Sequence, residues 1–226
     1  MLVFDRDKRL RKIKVICASL VAVVTVTATV GRADDLAVSR FSVEGLAGWT
    51  PKSFKGATDY RLVDDNGRMV VEATSNATAS GLVKKIRFDP VTYRYLRWSW
   101  KIDHIIKDGD EKSRAGDDYA ARLYVIFPGR FFWQVKAINY IWANRLPKGE
   151  SLPNPYTAED MMVAVESGSS QAGQWITEER DILADYRYLF GEDPKGAEGI
   201  AIMTDTDNTG GSAVAWYGEI VISTKP

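Results

Sequence analysis

The chain has 226 residues, 30 basic and 30 acidic side chains, one histidine and a single cysteine, Cys17. That length suits one domain with a sizeable core, and the balanced charge excludes the basic footprint that nucleic-acid binding needs. One cysteine excludes a disulfide framework and a thiolate zinc site.

The first 33 residues read as a secretory signal peptide. Arg6, Lys8, Arg9, Arg11, Lys12 and Lys14 form a basic start, Val15 to Val30 carries no charge, and Gly31-Arg32-Ala33 suits cleavage after Ala33. The rival reading is a retained anchor, for which a run of 16 uncharged residues is short against the roughly 20 that span a bilayer. Cleavage removes seven basic and two acidic side chains, leaving 23 against 28 and a net charge of −5. The expectation is a mildly acidic, cysteine-free domain over residues 34–226, periplasmic or secreted in a bacterium, with no nucleic-acid partner and no stable membrane span.

Along the mature part, Phe41 to Trp49 opens the domain, with Gly45 and Gly48 set against a helix, and Thr50-Pro51 and Lys55-Gly56 read as turns. Tyr60 to Val63 and Arg68 to Ala73 flank Asn66-Gly67, a hairpin signal because both residues tolerate positive φ. Gly81 to Phe88 is a strand ended by Asp89-Pro90. Tyr95 to Ile102 alternates Leu96, Trp98, Trp100 and Ile102 against Arg97, Ser99 and Lys101, the period of a half-buried strand. A charged loop leads to a second such run, Tyr119 to Phe127.

Phe131 to Asn144 is rich in β-formers, whereas the three prolines of Leu146–Tyr156 predict a loop outside any ladder. Strands are expected over Met161–Glu166 and Gln174–Ile182. Asp181 to Phe190 reads as the one helix, stopped by Gly191. Gly199–Asp205 and Val214–Ser223 are expected to close the domain as a strand pair. The class is all-β, mainly antiparallel: a jelly-roll-type β-sandwich with one short helix near residues 181–190.

With these runs laid out, the mature chain resembles the DUF3047 family of exported bacterial proteins. The likeness is carried by Ala79-Ser80-Gly81-Leu82, Leu96-Arg97-Trp98-Ser99-Trp100-Lys101, Gly116-Asp117-Asp118-Tyr119-Ala120-Ala121-Arg122, Asp185-Tyr186 with Phe190-Gly191, Gly199 to Asn208, and Ala215-Trp216-Tyr217-Gly218. The resemblance implies a sandwich without an assigned activity and supplies no catalytic residues.

Candidate site residues therefore come from chemistry. Asp117 and Asp118 sit at a strand mouth and suit a cation or a sugar hydroxyl, or alternatively the backbone N–H groups of a turn. Arg97, Lys101, Arg122 and Tyr124 lie opposite the apolar stripes of their strands and, if those strands are neighbours, form one basic and aromatic face for an acidic ligand. The plainer alternative is a solvated face of ion pairs. Asp205, Asp207 and Asn208 resemble the start of a calcium loop, but position twelve is Trp216 and the flanks are strands, so an EF-hand is rejected. A looser Ca²⁺ site with Asp117 or Asp118 nearby, or plain Asx turns, remain.

Most of the tryptophans belong to the core, with Trp133 or Trp142 as the candidate for an exposed sugar platform. Glycan cleavage would need two carboxyls about 5–10 Å apart, drawn from Asp117, Asp118, Glu179 and Asp205. His104 stands alone, and no nucleophile elbow or phosphate loop is present. The leading expectation is a non-catalytic binder of an envelope carbohydrate or other polar ligand, followed by a glycan-cleaving enzyme and then by a structural protein that docks a partner.

Overall fold

The computed structural model describes residues 35–129 and 135–226; the expected signal peptide and Trp133 lie outside them. In chain order the elements are β1 (Asp35–Ala37), α1 (Phe41–Glu44), β2 (Trp49–Lys55), β3 (Asp59–Asp65), β4 (Arg68–Asn76), β5 (Ala79–Phe88), β6 (Tyr95–Ile102) and β7 (Tyr119–Pro128). They continue with β8 (Val135–Ala143), β9 (Ser151–Asn154), β10 (Thr157–Ser167), β11 (Ile176–Asp181), α2 (Ile182–Phe190), β12 (Ala197–Asp205) and β13 (Ser212–Ser223). Two sheets face each other. One runs β11-β6-β13-β4-β3, with β1 beside β13; the other runs β2-β5-β12-β7-β8-β10-β9.

The predicted class holds: a mainly antiparallel β-sandwich in which, among the described residues, the one multi-turn helix is α2. The Asp181 side chain accepts a hydrogen bond from the Ala184 N–H at 3.0 Å, and Gly191 ends the helix at φ 68°. Asn66 and Gly67, at φ 58° and 84°, turn β3 into β4 as expected. One pair breaks the antiparallel rule, since β8 and β10 run parallel.

Four local expectations are corrected. Thr50-Pro51 is not a turn but part of β2, and Pro153 lies within β9, inside the stretch expected to stay out of a ladder. Both are edge strands of the seven-stranded sheet, one at each side. There a proline costs no ladder bond, because its missing N–H can face away from the sheet. The run after Arg40 does form one helical turn, α1, before Gly45 at φ 57° ends it. Finally, β12 and β13 are not a pair: they sit in opposite sheets, so the loop between them crosses the end of the sandwich.

The core lies between the sheets. Leu96, Trp98, Trp100 and Ile102 from β6 meet Leu123, Val125 and Phe127 from β7 and Ile138, Tyr140 and Trp142 from β8, all buried. Rings from the two sheets interlock, with Trp98 5.3 Å from Tyr140 and Trp100 5.9 Å from Trp142 between centroids. A second, smaller cluster of Tyr119, Ile141, Ala143, Leu146, Met162 and Ala164 is packed separately. Register puts Ile141 and Ala164 on the same face as Arg122, the outer face of the seven-stranded sheet. That outer face is therefore partly covered, and the cover forms one side of a cleft.

Candidate functional site

The cleft encloses about 660 Å³, within the range of small-ligand sites. Its floor is made by the central strands, because partners across a ladder share a face. Met203 pairs with Gly81 on one side and Arg122 on the other, and Ala201 with Val83 and Tyr124. Tyr124 pairs in turn with Asn139, and Asn139 with Met162. Glycine at 81 leaves the floor open, since a Cβ there would lie 2.8 Å from the Ile202 carbonyl oxygen and 3.4 Å from the Met203 Cβ. The edge strand β2 raises one wall with Lys52 and Phe54, and the β9–β10 turn raises the other with Asn154 and Tyr156. Phe54 is 68% and Tyr156 52% exposed, so the rim carries two aromatic rings facing water.

Arg122 anchors the floor at 4% exposure. Its guanidinium makes a two-armed contact with Asp205 (Nε to Oδ1 at 2.9 Å, Nη2 to Oδ2), and Nη1 lies 3.9 Å from Asp117 Oδ1. The rings of Tyr119 and Tyr124 flank it at 4.5 and 5.9 Å. Each nearby carboxylate is engaged. Asp117 accepts from Asn154 Nδ2 at 3.0 and 3.1 Å. Asp118 accepts the backbone N–H groups of Asn208 and Thr209 at 3.1 and 2.6 Å. Asn208 donates its side-chain amide to the Arg114 carbonyl and the Tyr156 hydroxyl, both at 2.8 Å. Burial pushes the Asp205 carboxyl above its ordinary range and Asp118 and Asp117 add to the rise, while Arg122 pulls it down.

Asp160 differs. It lines the cleft, and its one hydrogen bond is a long one, 3.5 Å, from Asn139 Nδ2. Its Oδ1 and the Oδ1 of the fully buried Asn139 have no partner. With Asp160 ionised both unpartnered oxygens are acceptors, one on the cleft lining and one on the buried residue it contacts. Burial raises the Asp160 pKa to about 7, with Asp117 adding to the rise and Arg122 opposing it.

The structure sorts the predicted residues into three places. Asp117, Asp118, Arg122, Tyr124, Asp205, Asp207 and Asn208 come together at the cleft. Arg97 and Lys101 do not join them, because β6 and β7 belong to opposite sheets, so the single basic face is corrected. Arg97 pairs with Glu179 (Nε 3.0 Å) on the far side of the sandwich, and Lys101 pairs with Asp65 at 2.6 Å between the rings of Trp175 and Trp216. Glu179 is thereby parted from the aspartates proposed to act with it. Trp142 is no platform either: it is buried in the core and donates its indole N–H to the Gly168 carbonyl at 3.0 Å.

Carboxyl oxygens of Asp118, Asp205 and Asp207 lie within 4.8 Å of one another, a set able to hold a cation. Asn208, expected as a ligand beside Asp205 and Asp207, donates its Nδ2 to Arg114 and Tyr156, which leaves its Oδ1 as the atom that could ligate. A cation would also compete with Arg122 for Asp205 and with two backbone amides for Asp118.

Phe54, Asn139, Asn154, Tyr156 and Asp160 were not singled out from sequence. Signals existed for some of them. Asn139 interrupts the apolar run of β8, where an amide is out of place unless buried with a purpose. Gly81 sits inside a strand, a mark of close approach. The aromatic rim rings left no such mark.

The chain belongs to the DUF3047 family, described as "Protein of unknown function (DUF3047)", which it matches over residues 47–221. No curated protein matches it. Among solved structures it is similar to the family 11 carbohydrate-binding module of the cellulosomal cellulase Lic26A-Cel5E of Clostridium thermocellum. That match has 11% identity, covers 84% of this chain and 94% of that one, and has a TM-score of 0.45. A structure described as carbohydrate-binding modules from the β-sandwich superfamily matches at 12% identity over 83% of this chain and 61% of that one, TM-score 0.42. The Emp46p carbohydrate recognition domain matches at 11% identity over 84% and 93%, TM-score 0.42. Likenesses of this size say nothing about ligand. Among the described residues no helix is long and apolar enough to cross a membrane.

Proposed function

We propose that this is an exported, non-catalytic binding protein whose outer-sheet cleft takes a carbohydrate of the cell envelope or a related polar ligand. The observation that carries the reading is the pair of exposed rings, Phe54 and Tyr156, on opposite walls of a cleft floored by the buried Arg122–Asp205 pair. Sugar rings present C–H faces that pack on aromatics and hydroxyls that both donate and accept, which suits apolar walls above a polar floor. Export rests on the basic start and uncharged run of residues 1–33.

Binding is favoured over cleavage because Asp117, Asp118 and Asp205 are each held by hydrogen bonds or an ion pair. Such carboxylates are poorly placed to pass a proton to a leaving group. A thermal-shift screen of envelope glycans, run with and without Ca²⁺, tests the proposal. A ligand at one hundred times its Kd adds about 2.7 kcal/mol, and the shift should shrink in Phe54→Ala. Silence across the panel, or a hit indifferent to Phe54 and Tyr156, would refute the cleft as the site. Release of shortened product from the bound glycan would instead establish an enzyme.

A further inference from the structure

Asp160 lines the cleft and contacts the fully buried Asn139, and this pair specifies more than "polar". Asn139 is fully inaccessible yet leaves its carbonyl oxygen unpartnered, and Asp160 leaves one carboxyl oxygen in the same condition. A buried polar atom without a partner is costly, so two unpartnered oxygens on contacting side chains mark a place where a partner is missing. With Asp160 ionised both are acceptors, so an anionic carboxylate, phosphate or sulfate is disfavoured at this point and a hydrogen-bond donor suits it.

Charge narrows the donor further. Asp117, Asp160 and Asp205 line the cleft around one buried cation, Arg122. Asp205 takes the two-armed contact, and Asp117 has both the Arg122 nitrogen at 3.9 Å and the Asn154 amide. Lys55, at the rim, is turned to Asp207. Lys52 lies 6.0 Å from the Phe54 ring, at the opposite wall from the β9–β10 turn. Asp160 is therefore the cleft carboxyl without a cation of its own. A neutral hydroxyl would supply one donor and leave that charge unanswered, whereas an ammonium supplies three donors and the missing positive charge.

Resting on the reading of the cleft as a glycan site, we infer that its ligand carries an unacylated, protonated amine, as an amino sugar does, seated on Asp160 with Asn139 behind it. The sugar body then lies along Ile126 and Val135, between the rings of Phe54 and Tyr156. Acylation of the amine removes both its charge and two of its donors, so the cleft discriminates against the N-acetylated form of the same sugar.

Calorimetry of the purified protein with an oligomer of glucosamine, against the N-acetylglucosamine oligomer of equal length, tests this. The expected preference for the free amine is about tenfold or more, the scale of one charged hydrogen bond. In Asp160→Asn, which keeps the volume and whose Tm reports the fold, the preference should fall to within about twofold of unity. Equal affinity for the two oligomers, or a preference that survives Asp160→Asn, overturns the inference. If Phe54→Ala still weakens both oligomers in that case, the cleft remains the glycan site. Binding of neither oligomer overturns the amine inference as well, and the wider glycan screen then decides the cleft separately.

Discussion

The two outer faces of the sandwich use the same residue types to opposite ends. On the six-stranded sheet, Arg97 meets Glu179 and Lys101 meets Asp65, with Trp175 and Trp216 lying against Lys101. There each of these carboxylates has its own cation. On the seven-stranded sheet, Arg122 is shared by Asp205 and Asp117, Asp160 has no cation, and the floor is sunk between two raised edges. Arginines, lysines, acids and aromatics alone do not make a site; excess charge held out of water does.

The comparison breaks most visibly at Arg122. Arg122→Ala leaves Asp205 and Asp117 buried without a cation and should cost about 3–5 kcal/mol, a fall in Tm of roughly 10 °C for a domain of this size. Replacing the pair together, Arg122→Met with Asp205→Leu, should recover most of that loss, as apolar isosteres of buried ion pairs often do. Recovery would show that the pair is retained for the ligand rather than for stability. Failure to recover would make it structural.

Next in size is the response to pH. An aspartate ionises near 4 in the unfolded chain, but Asp160 holds its proton to about 7 in the fold. Between those values the folded state binds more protons than the unfolded one, so this contribution to stability falls as pH rises. Glu178, raised to about 7 by burial and by the neighbouring Glu166, acts in the same direction. The Tm should drop by several degrees from pH 5 to pH 8. Asp160→Asn should raise Tm at pH 8 and leave it nearly unchanged at pH 5, because its amide mimics the protonated acid and can donate to Asn139. Calorimetric melts of both proteins at the two pH values decide the matter, and an equal effect at both would assign Asp160 an ionised ground state.

Phe54→Ala sharpens the contrast in another way. The ring is mostly in water, so the melt should stay within about 0.5 kcal/mol of the parent, whereas affinity for a cleft ligand should fall about tenfold. The smallest effect belongs to Arg97→Ala on the far face. Its pair with Glu179 is exposed, and its removal should cost under about 1 kcal/mol with no change in ligand affinity. A clear loss of binding in Arg97→Ala would return that face to consideration.

The sequence by itself determined most of what depends on neighbours along the chain. Alternation in Leu96–Ile102 declared a half-buried strand, Asn66-Gly67 declared a hairpin, and Asp181 with Gly191 declared both ends of α2. These are local preferences of backbone and cap, and they survive folding because tertiary contacts reinforce them. Where the sequence misled, the reason was position within a sheet: Pro51 and Pro153 are tolerated only because their strands lie at the edges. What only the tertiary structure decided was which strands share a face. Arg97 and Arg122 sit on strands that look alike, yet a crossover sends them to opposite sides of the sandwich, and the same assembly brings Asp117, Asp160 and Asp205 to one floor. Sheet order follows from how large apolar faces pack to exclude water, an energy summed over the whole chain and therefore illegible in any one stretch of it.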